Sequence, residues 1–390
     1  MSSGNMIELS SQILLSSFII LLLALIPLGA SVKSKKELMS RLGIGLTCLA
    51  FLLQLLYFSL RWIAIGHAPV SNLYEFMTFF GIMFVGSALL IFRLYKQLVV
   101  LLFSIPISLI IIGYGAVFTS DAAPLIPALQ SNWLSVHVIT VALASAVLSL
   151  AFATGVIYLL RVTDVQKKTG STRSLEFVMY CLVVAIGFII SSFAFPFITD
   201  EMVMHFESKN QITEEAVYKM PAIFVNDGAV LSDQQTEVGF IELSNSINAN
   251  KLNTVVWSFI VGTALYMLIL IITRKNISQL IKPFTRKVDP LLMDEISYRA
   301  VVIGFPLFSL GGLLFAMIWA QLAWSRFWGW DPKEVWALIT WLFYASLLHL
   351  RTSKGWDGKR TAWMSIIGFG LIVFNQVFVN LVIAGLHSYA

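Results

Sequence analysis

The sequence predicts an all-α polytopic membrane protein with about ten transmembrane helices. Three observations carry that expectation. The chain has 390 residues, of which 58% are hydrophobic and 12% charged, about half the charged share of an ordinary soluble domain. Apolar runs recur at lengths of about 18 residues or more, enough for a hydrocarbon core of roughly 30 Å at ~1.5 Å per residue. Alternating segments of the barrel type do not occur. Finally, the basic residues fall in every second connection, as they do in chains threaded through a membrane.

Taken in order, the spans read as 13–31, 42–66, 75–93, 97–118, 134–160, 177–197, 254–273, 297–320, 333–350 and 361–385. The first run, Ile13 to Ala30, has the length of a signal peptide. It lacks a basic segment before it, and its positive charges follow it, so it reads as a retained span. One set of connections holds Lys33, Lys35, Lys36 and Arg41, then Arg93 and Lys96, then Arg161, Lys167, Lys168 and Arg173. It continues through the six basic residues between Arg274 and Arg299 and ends with Arg351, Lys354, Lys359 and Arg360. That is 20 of the 26 Lys and Arg. The positive-inside rule puts this set in the cytoplasm and both termini outside.

The chain then divides into N-terminal membrane helices over 1–197, a small extracytoplasmic insert over 198–253, and a C-terminal membrane core over 254–390. The insert is polar, and Val238 to Leu243 alternates as a strand would. A segment of this size without disulfides needs support from the helices or a partner. The net charge of +5 comes from residues flanking spans and is no nucleic-acid signal. The two cysteines, Cys48 and Cys181, both lie in apolar runs and exclude a disulfide framework or a zinc knuckle.

The densest chemistry lies between the eighth and ninth spans, in Trp324-Ser325-Arg326-Phe327-Trp328-Gly329-Trp330-Asp331-Pro332-Lys333-Glu334-Val335-Trp336. The charge count places it on the outer face. Asp331 is a favoured N-cap, Pro332 suits the first helical position, and Glu334 completes a capping-box pattern, so Asp331 starts the ninth span. A helix N-terminus beside Arg326 and Lys333 also suits a carboxylate or phosphate. For any single Trp the plain reading is an interfacial anchor, and Trp62, Trp133 and Trp363 fit it. Trp324, Trp328, Trp330 and Trp336, with Trp319 and Trp341 nearby, are denser than anchoring requires. Both an aromatic belt and a wall for a flat, carboxylate-bearing ring system stay open here; haem has the second shape.

Five histidines complete the inventory. His137 begins the fifth span and His387 follows the tenth, both at the depth of the Trp-rich loop. His67 lies outside as well, in a turn-rich connection. Each alone reads as a polar interfacial residue; together beside the Trp cluster they also read as haem-iron ligands. His349 sits roughly 27 Å along the ninth helix from Asp331, towards the cytoplasmic end, and His205 lies in the insert without companions. A stable two-haem carrier would need paired histidines at both depths, and only one is near the inner face. Glu75 and Asp121 read as outer caps rather than bases. No phosphate loop, His-Glu-x-x-His pattern or Ser-His-Asp set is present.

Trp324 to Trp341, running on through Leu-Phe-Tyr-Ala-Ser-Leu-Leu-His-Leu-Arg, resembles the "WWD" signature of the CcsA/ResC cytochrome c synthesis proteins of system II. The likeness takes in Met293 to Arg299, Gly355-Trp356, and Gly385-Leu386-His387-Ser388-Tyr389. It also includes Gly66 to Glu75 and Trp133 to His137. It is dense over 290–390 and patchy before. Ser325 departs from the glycine expected there.

The resemblance implies a protein of a bacterial plasma or thylakoid-type membrane that works with a CcsB/ResB-type membrane subunit. Together they would carry haem b to the outer face and attach it, as a haem lyase, to the Cys-x-x-Cys-His site of apocytochrome c. His137 and His387 are then the outer iron ligands, one of which yields to the substrate's own histidine. His349 is the inner ligand, paired with one from the partner. Trp324, Arg326, Trp328, Trp330, Asp331, Lys333, Trp336 and His67 are the expected haem-binding residues. Two rivals stand beside this: a haem or organic-anion exporter without synthase activity, and an assembly factor whose aromatic loop only grips a protein.

Overall fold

The computed structural model describes residues 2–34, 36–121, 130–207, 213–231, 241–244 and 248–379. Ten predicted spans correspond to ten stretches of helix, the tenth over its described part, since 380–385 lie outside the described residues. The first five are α1 Ser3–Ser34, α2 Glu37–Ile65, α3 Leu73–Tyr95, α4 Leu98–Gly115 and α5 Asn132–Val162. They are followed by α6 Gly170–Ile198, α7 Ala249–Thr273 and the short α8 Ile277–Ile281. Next comes α9 Pro290–Phe308, which runs through a π-helical segment Ser309–Phe315 into α10 Ala316–Trp324. The last two are α11 Pro332–Lys354 and α12 Lys359–Val373, the latter ending in a second π segment, Phe374–Phe378. Among the described residues, nine helices are long and apolar enough to cross a membrane. The ninth predicted span, α11, is long enough at 23 residues but is less apolar than these nine, because polar groups begin and end it.

The chain forms two compact units, Met1–Lys168 with Ile281–Ala390, and Thr169–Leu280. In the first unit α5 is the axis, packed against α3, α4, α9 and α12. Its inward face is small: Ala142, Ala144, Ala146, Ala151 and Ala153 are fully buried. Small residues let helix backbones approach where lipid removes the hydrophobic drive to associate. Polar caps start the helices that carry the site. Asn72 accepts from the Glu75 N–H at the head of α3, and Ser131 accepts from Trp133 N–H at the head of α5.

Cations of the predicted cytoplasmic set tie the far ends of these helices together. Arg351 grips Asp294 with two bonds of 2.9 and 2.7 Å, and the Gly358 N–H adds a third to the same carboxylate at 3.1 Å. Lys282, in a 3₁₀ turn over Lys282–Thr285, donates to the carbonyls of Leu160 and Thr163.

The second unit pairs α6 with α7, which cross where Gly187 and Gly262 lie backbone to backbone. Between them the chain forms β1 Met202–Glu207, β2 Thr213–Tyr218, β3 Phe224–Asn226, β4 Val230–Leu231 and β5 Ile241–Leu243. The strand expected over 238–243 is β5 at its described end. β1 is central and antiparallel to β2 and β4, with Met204 opposite Ala216 and Leu231; β3 and β5 are parallel. Met204, Tyr218, Ala222, Val225 and Ala229 form a small core. It leans on α7: Asn253 accepts from Ile223 N–H and donates to the Pro221 carbonyl, which also takes the Trp257 indole N–H, each at 2.9 Å.

Candidate functional site

The Trp-rich loop is held by one carboxylate. Glu334 Oε2 accepts the backbone N–H of Gly329 at 2.7 Å and of Asp331 at 3.1 Å. Asp331 in turn accepts from Lys333 N–H at 3.0 Å and from the N–H of Glu334, so the capping box expected from the sequence is complete. Its completion narrows one expectation. Pro332 has no N–H, and the next two are spent on Asp331, so the helix terminus has no donor to spare for an anion. Only the Arg326 and Lys333 side chains remain for that role.

The loop backbone is strained at two positions. Ser325 and Trp330 both have positive φ, 56° and 58°, a region unfavourable to side chains with a Cβ. Ser325 caps α10 through its N–H to the Gln321 carbonyl, in a conformation that suits the glycine the resemblance implies there. Trp330 packs edge-on to Trp328 at 6.0 Å and is 70% exposed. Arg326 and Phe327 are exposed as well.

A cavity in the first unit brings part of this loop to His137. Its walls include Val70, Ser71 and Asn72 before α3, His137 on α5, Trp319 on α10, and Trp328, Lys333 and Glu334. Asn375 and Gln376 from the second π segment close another wall. The His137 ring lies parallel to that of Trp319, 5.7 Å away at 11°, and Trp319 meets Trp324 edge-on at 4.8 Å. His137 Nδ1 is 2.8 Å from the Gly311 carbonyl in the first π segment. A carbonyl can only accept, so Nδ1 carries a proton; in the neutral ring the lone pair is then on Nε2, the form in which imidazole binds iron. Trp341 Nε1 donates to Ser309 Oγ at 2.7 Å, tying α11 to the same π segment.

The wall at Val70 to Asn72 rests on a buried ion pair. Glu75 Oε1 accepts from Arg61 Nε at 2.9 Å, with both side chains essentially without solvent. Its Oε2 accepts from both the N–H and the hydroxyl of Ser71 at 3.0 and 2.8 Å. Arg61 also donates to the Ser120 carbonyl and lies over the Tyr74 ring. Asn72 is thus the cap, and Glu75 is the group that fixes the turn before it. Asp121 accepts from Thr119 and caps no described helix.

The other expected residues are more scattered. Trp336 faces Phe374 at 4.2 Å, behind the wall rather than among its lining residues. His67 sits just before the lining turn, its Nδ1 on the Ala68 carbonyl at 3.1 Å. His349 is exposed far along α11, near Ser353. His205 lies on β1 in the second unit. His387 lies outside the described residues. The sequence reading missed Ser71, Asn72, Asn375 and Gln376 as wall residues. A signal existed for the last two: adjacent amides inside an apolar run are unusual in a membrane span.

The chain matches the family described as "Cytochrome C assembly protein" over residues 70–199 and 256–387. The unmatched interval holds the five strands. It is 30% identical to the cytochrome c biogenesis protein CcsA of Prochlorococcus marinus (strain MIT 9301), over 93% of this chain and 88% of that one. With CcsA of Guillardia theta it shares 30% identity over 96% and 94% of the two chains. With CcsA of Synechocystis sp. it shares 28% over 99% and 98%. A family match over most of the chain, joined to relatives aligned from end to end, makes this chain a member of the cytochrome c assembly family, of the CcsA type.

Proposed function

We propose that the cavity beside His137 receives haem b at the outer membrane face, and that the chain presents it for attachment to apocytochrome c. Membership of the family places the chain in cytochrome c biogenesis; the lyase step, the haem side and the partner are our reading. The observation that carries it is the His137 geometry: a ring whose proton is held by Gly311, stacked on Trp319, in a cavity shared with Trp328 and Lys333. The donor set fits haem as the substrate. A neutral imidazole suits the iron, aromatic faces suit the macrocycle, and a lysine suits a propionate.

In this reading His137, with His387, holds the iron while the loop holds the porphyrin edge. His349 is the inner ligand and pairs with a histidine of a CcsB/ResB-type subunit. Each thiol of the Cys-x-x-Cys-His site then adds across a haem vinyl group. Sulfur bonds to one vinyl carbon and the thiol hydrogen goes to the other, with no net oxidation. The chain's own cysteines take no part, since both lie in helices within the membrane spans.

The test is to co-purify the full chain with the membrane subunit and record the haem spectrum and thioether formation on a Cys-x-x-Cys-His peptide. Wild-type protein shows a Soret band and makes the thioether; His137→Gly loses the native band. Bound haem without thioether formation turns the reading into the exporter, and no Soret band turns it into an assembly factor.

A further inference from the structure

Asn375 is a wall residue whose chemistry the proposed site does not yet use. It belongs to the π segment Phe374–Phe378 and is 8% exposed. Its side-chain oxygen is buried and has no hydrogen-bond partner among the described residues. Unpaired buried amides are costly and rare, and one that lines a cavity is a binding group in waiting. π-helical turns recur at functional sites because the widened turn redirects side chains. Here two consecutive residues, Asn375 and Gln376, line the same cavity.

The same lining supplies a charge. Lys333 lines the cavity and makes no ion pair among the described residues. The neighbouring carboxylates, Asp331 and Glu334, are engaged by backbone N–H groups. Trp336, one turn beyond Lys333, packs on Phe374 at 4.2 Å and so holds the π segment against α11.

We propose that Asn375 and Lys333 form a carboxylate-binding subsite in this cavity, Asn375 donating its amide N–H to the carboxylate that the lysine neutralises. The amide NH2, which can only donate, makes no hydrogen bond among the described residues and is not sealed as the oxygen is. The inference rests on the reading that haem occupies the cavity, and the carboxylate is then a propionate. It makes Asn375 a substrate-contacting residue and adds the tenth span's amide to a site otherwise built from histidine and tryptophan.

The experiment uses the full chain co-purified with its membrane subunit and titrated with two probes, haem b and its dimethyl ester. The variants are Asn375→Leu, which removes the hydrogen-bonding group, and Asn375→Asp, which adds a like charge. The subsite requires both to weaken haem b binding, by roughly tenfold or more for the aspartate, while both bind the ester as wild type does. Retained ester binding shows that the fold is intact. Wild-type affinity for haem b in both variants overturns the subsite. So does equal loss of haem b and ester, which marks Asn375 as a packing residue. If the wild-type protein gives no Soret band with either probe, the haem reading of the cavity fails, and the subsite fails with it.

Discussion

The imidazole of His137 and the carbonyl of Gly311 are joined across 174 residues by a 2.8 Å hydrogen bond. The bond exists because α5 and the first π segment touch backbone to backbone: a Cβ on Gly311 would lie 2.8 Å from Val141 N and 2.9 Å from the Thr140 carbonyl carbon. Gly311→Ala is therefore expected to push the segment away, cost about 1–3 kcal/mol by overpacking, and release the His137 tautomer. Gly312→Ala meets first the Phe308 ring, at 3.1 Å, and should be milder. Thermal unfolding in detergent and the haem spectrum of the two variants check this; equal effects contradict it.

Glu334 is expected to control the loop. Glu334→Ala strips the acceptor from two N–H groups and one half of a capping box, at about 1–2 kcal/mol. The Trp328 and Trp330 rings should then loosen, read as faster proteolysis of the loop and lower haem retention. Glu334→Gln keeps an acceptor oxygen and should retain most of both. A glutamine as damaging as alanine would show that charge, rather than loop geometry, is at stake.

Arg61 and Glu75 should behave as a unit. Arg61→Met leaves the Glu75 carboxylate buried with Ser71 alone and is expected to cost about 3–5 kcal/mol. Replacing both by apolar residues should cost far less than the sum of the single changes, and a double-mutant cycle measures the coupling. Haem binding should fall in each single variant, because the turn over Val70 to Asn72 loses its anchor. Additive single effects would contradict the pairing.

Ser325→Gly removes a side chain from a left-handed position, and stability should rise by about 0.5–1 kcal/mol with haem binding unchanged. Trp330→Gly relaxes the same kind of strain but deletes a ring, so stability should hold or rise while haem retention drops. Melting curves beside haem titrations separate the two outcomes.

What was legible in the sequence follows from what is local. Span lengths and the Asp331-Pro332-Lys333-Glu334 capping box depend on residues a few positions apart, and both stand in the structure. The π segments did not show, because Ser309–Phe315 and Phe374–Phe378 sit inside apolar runs whose hydrophobicity is uniform whatever the turn width. The Arg61–Glu75 pair was invisible for a different reason. Each residue looked like an outer-edge charge, and only the packing of α2 on α3 shows that both are sealed from water. Asn375 and Gln376 stand out as adjacent amides in an apolar run, but nothing local says that they share a cavity with residues before α3 and on α5.

The cavity walls run from Val70 to Asn375 and Gln376, and a ribosome makes these in order. While the first five helices enter the bilayer, His137 exists without Gly311 to orient it and without a loop beside it. The pocket thus comes into being only when α12 follows α11 into place. If the cavity takes haem as proposed, a partly made chain has no finished place to trap a reactive iron porphyrin, and loading waits for the last span.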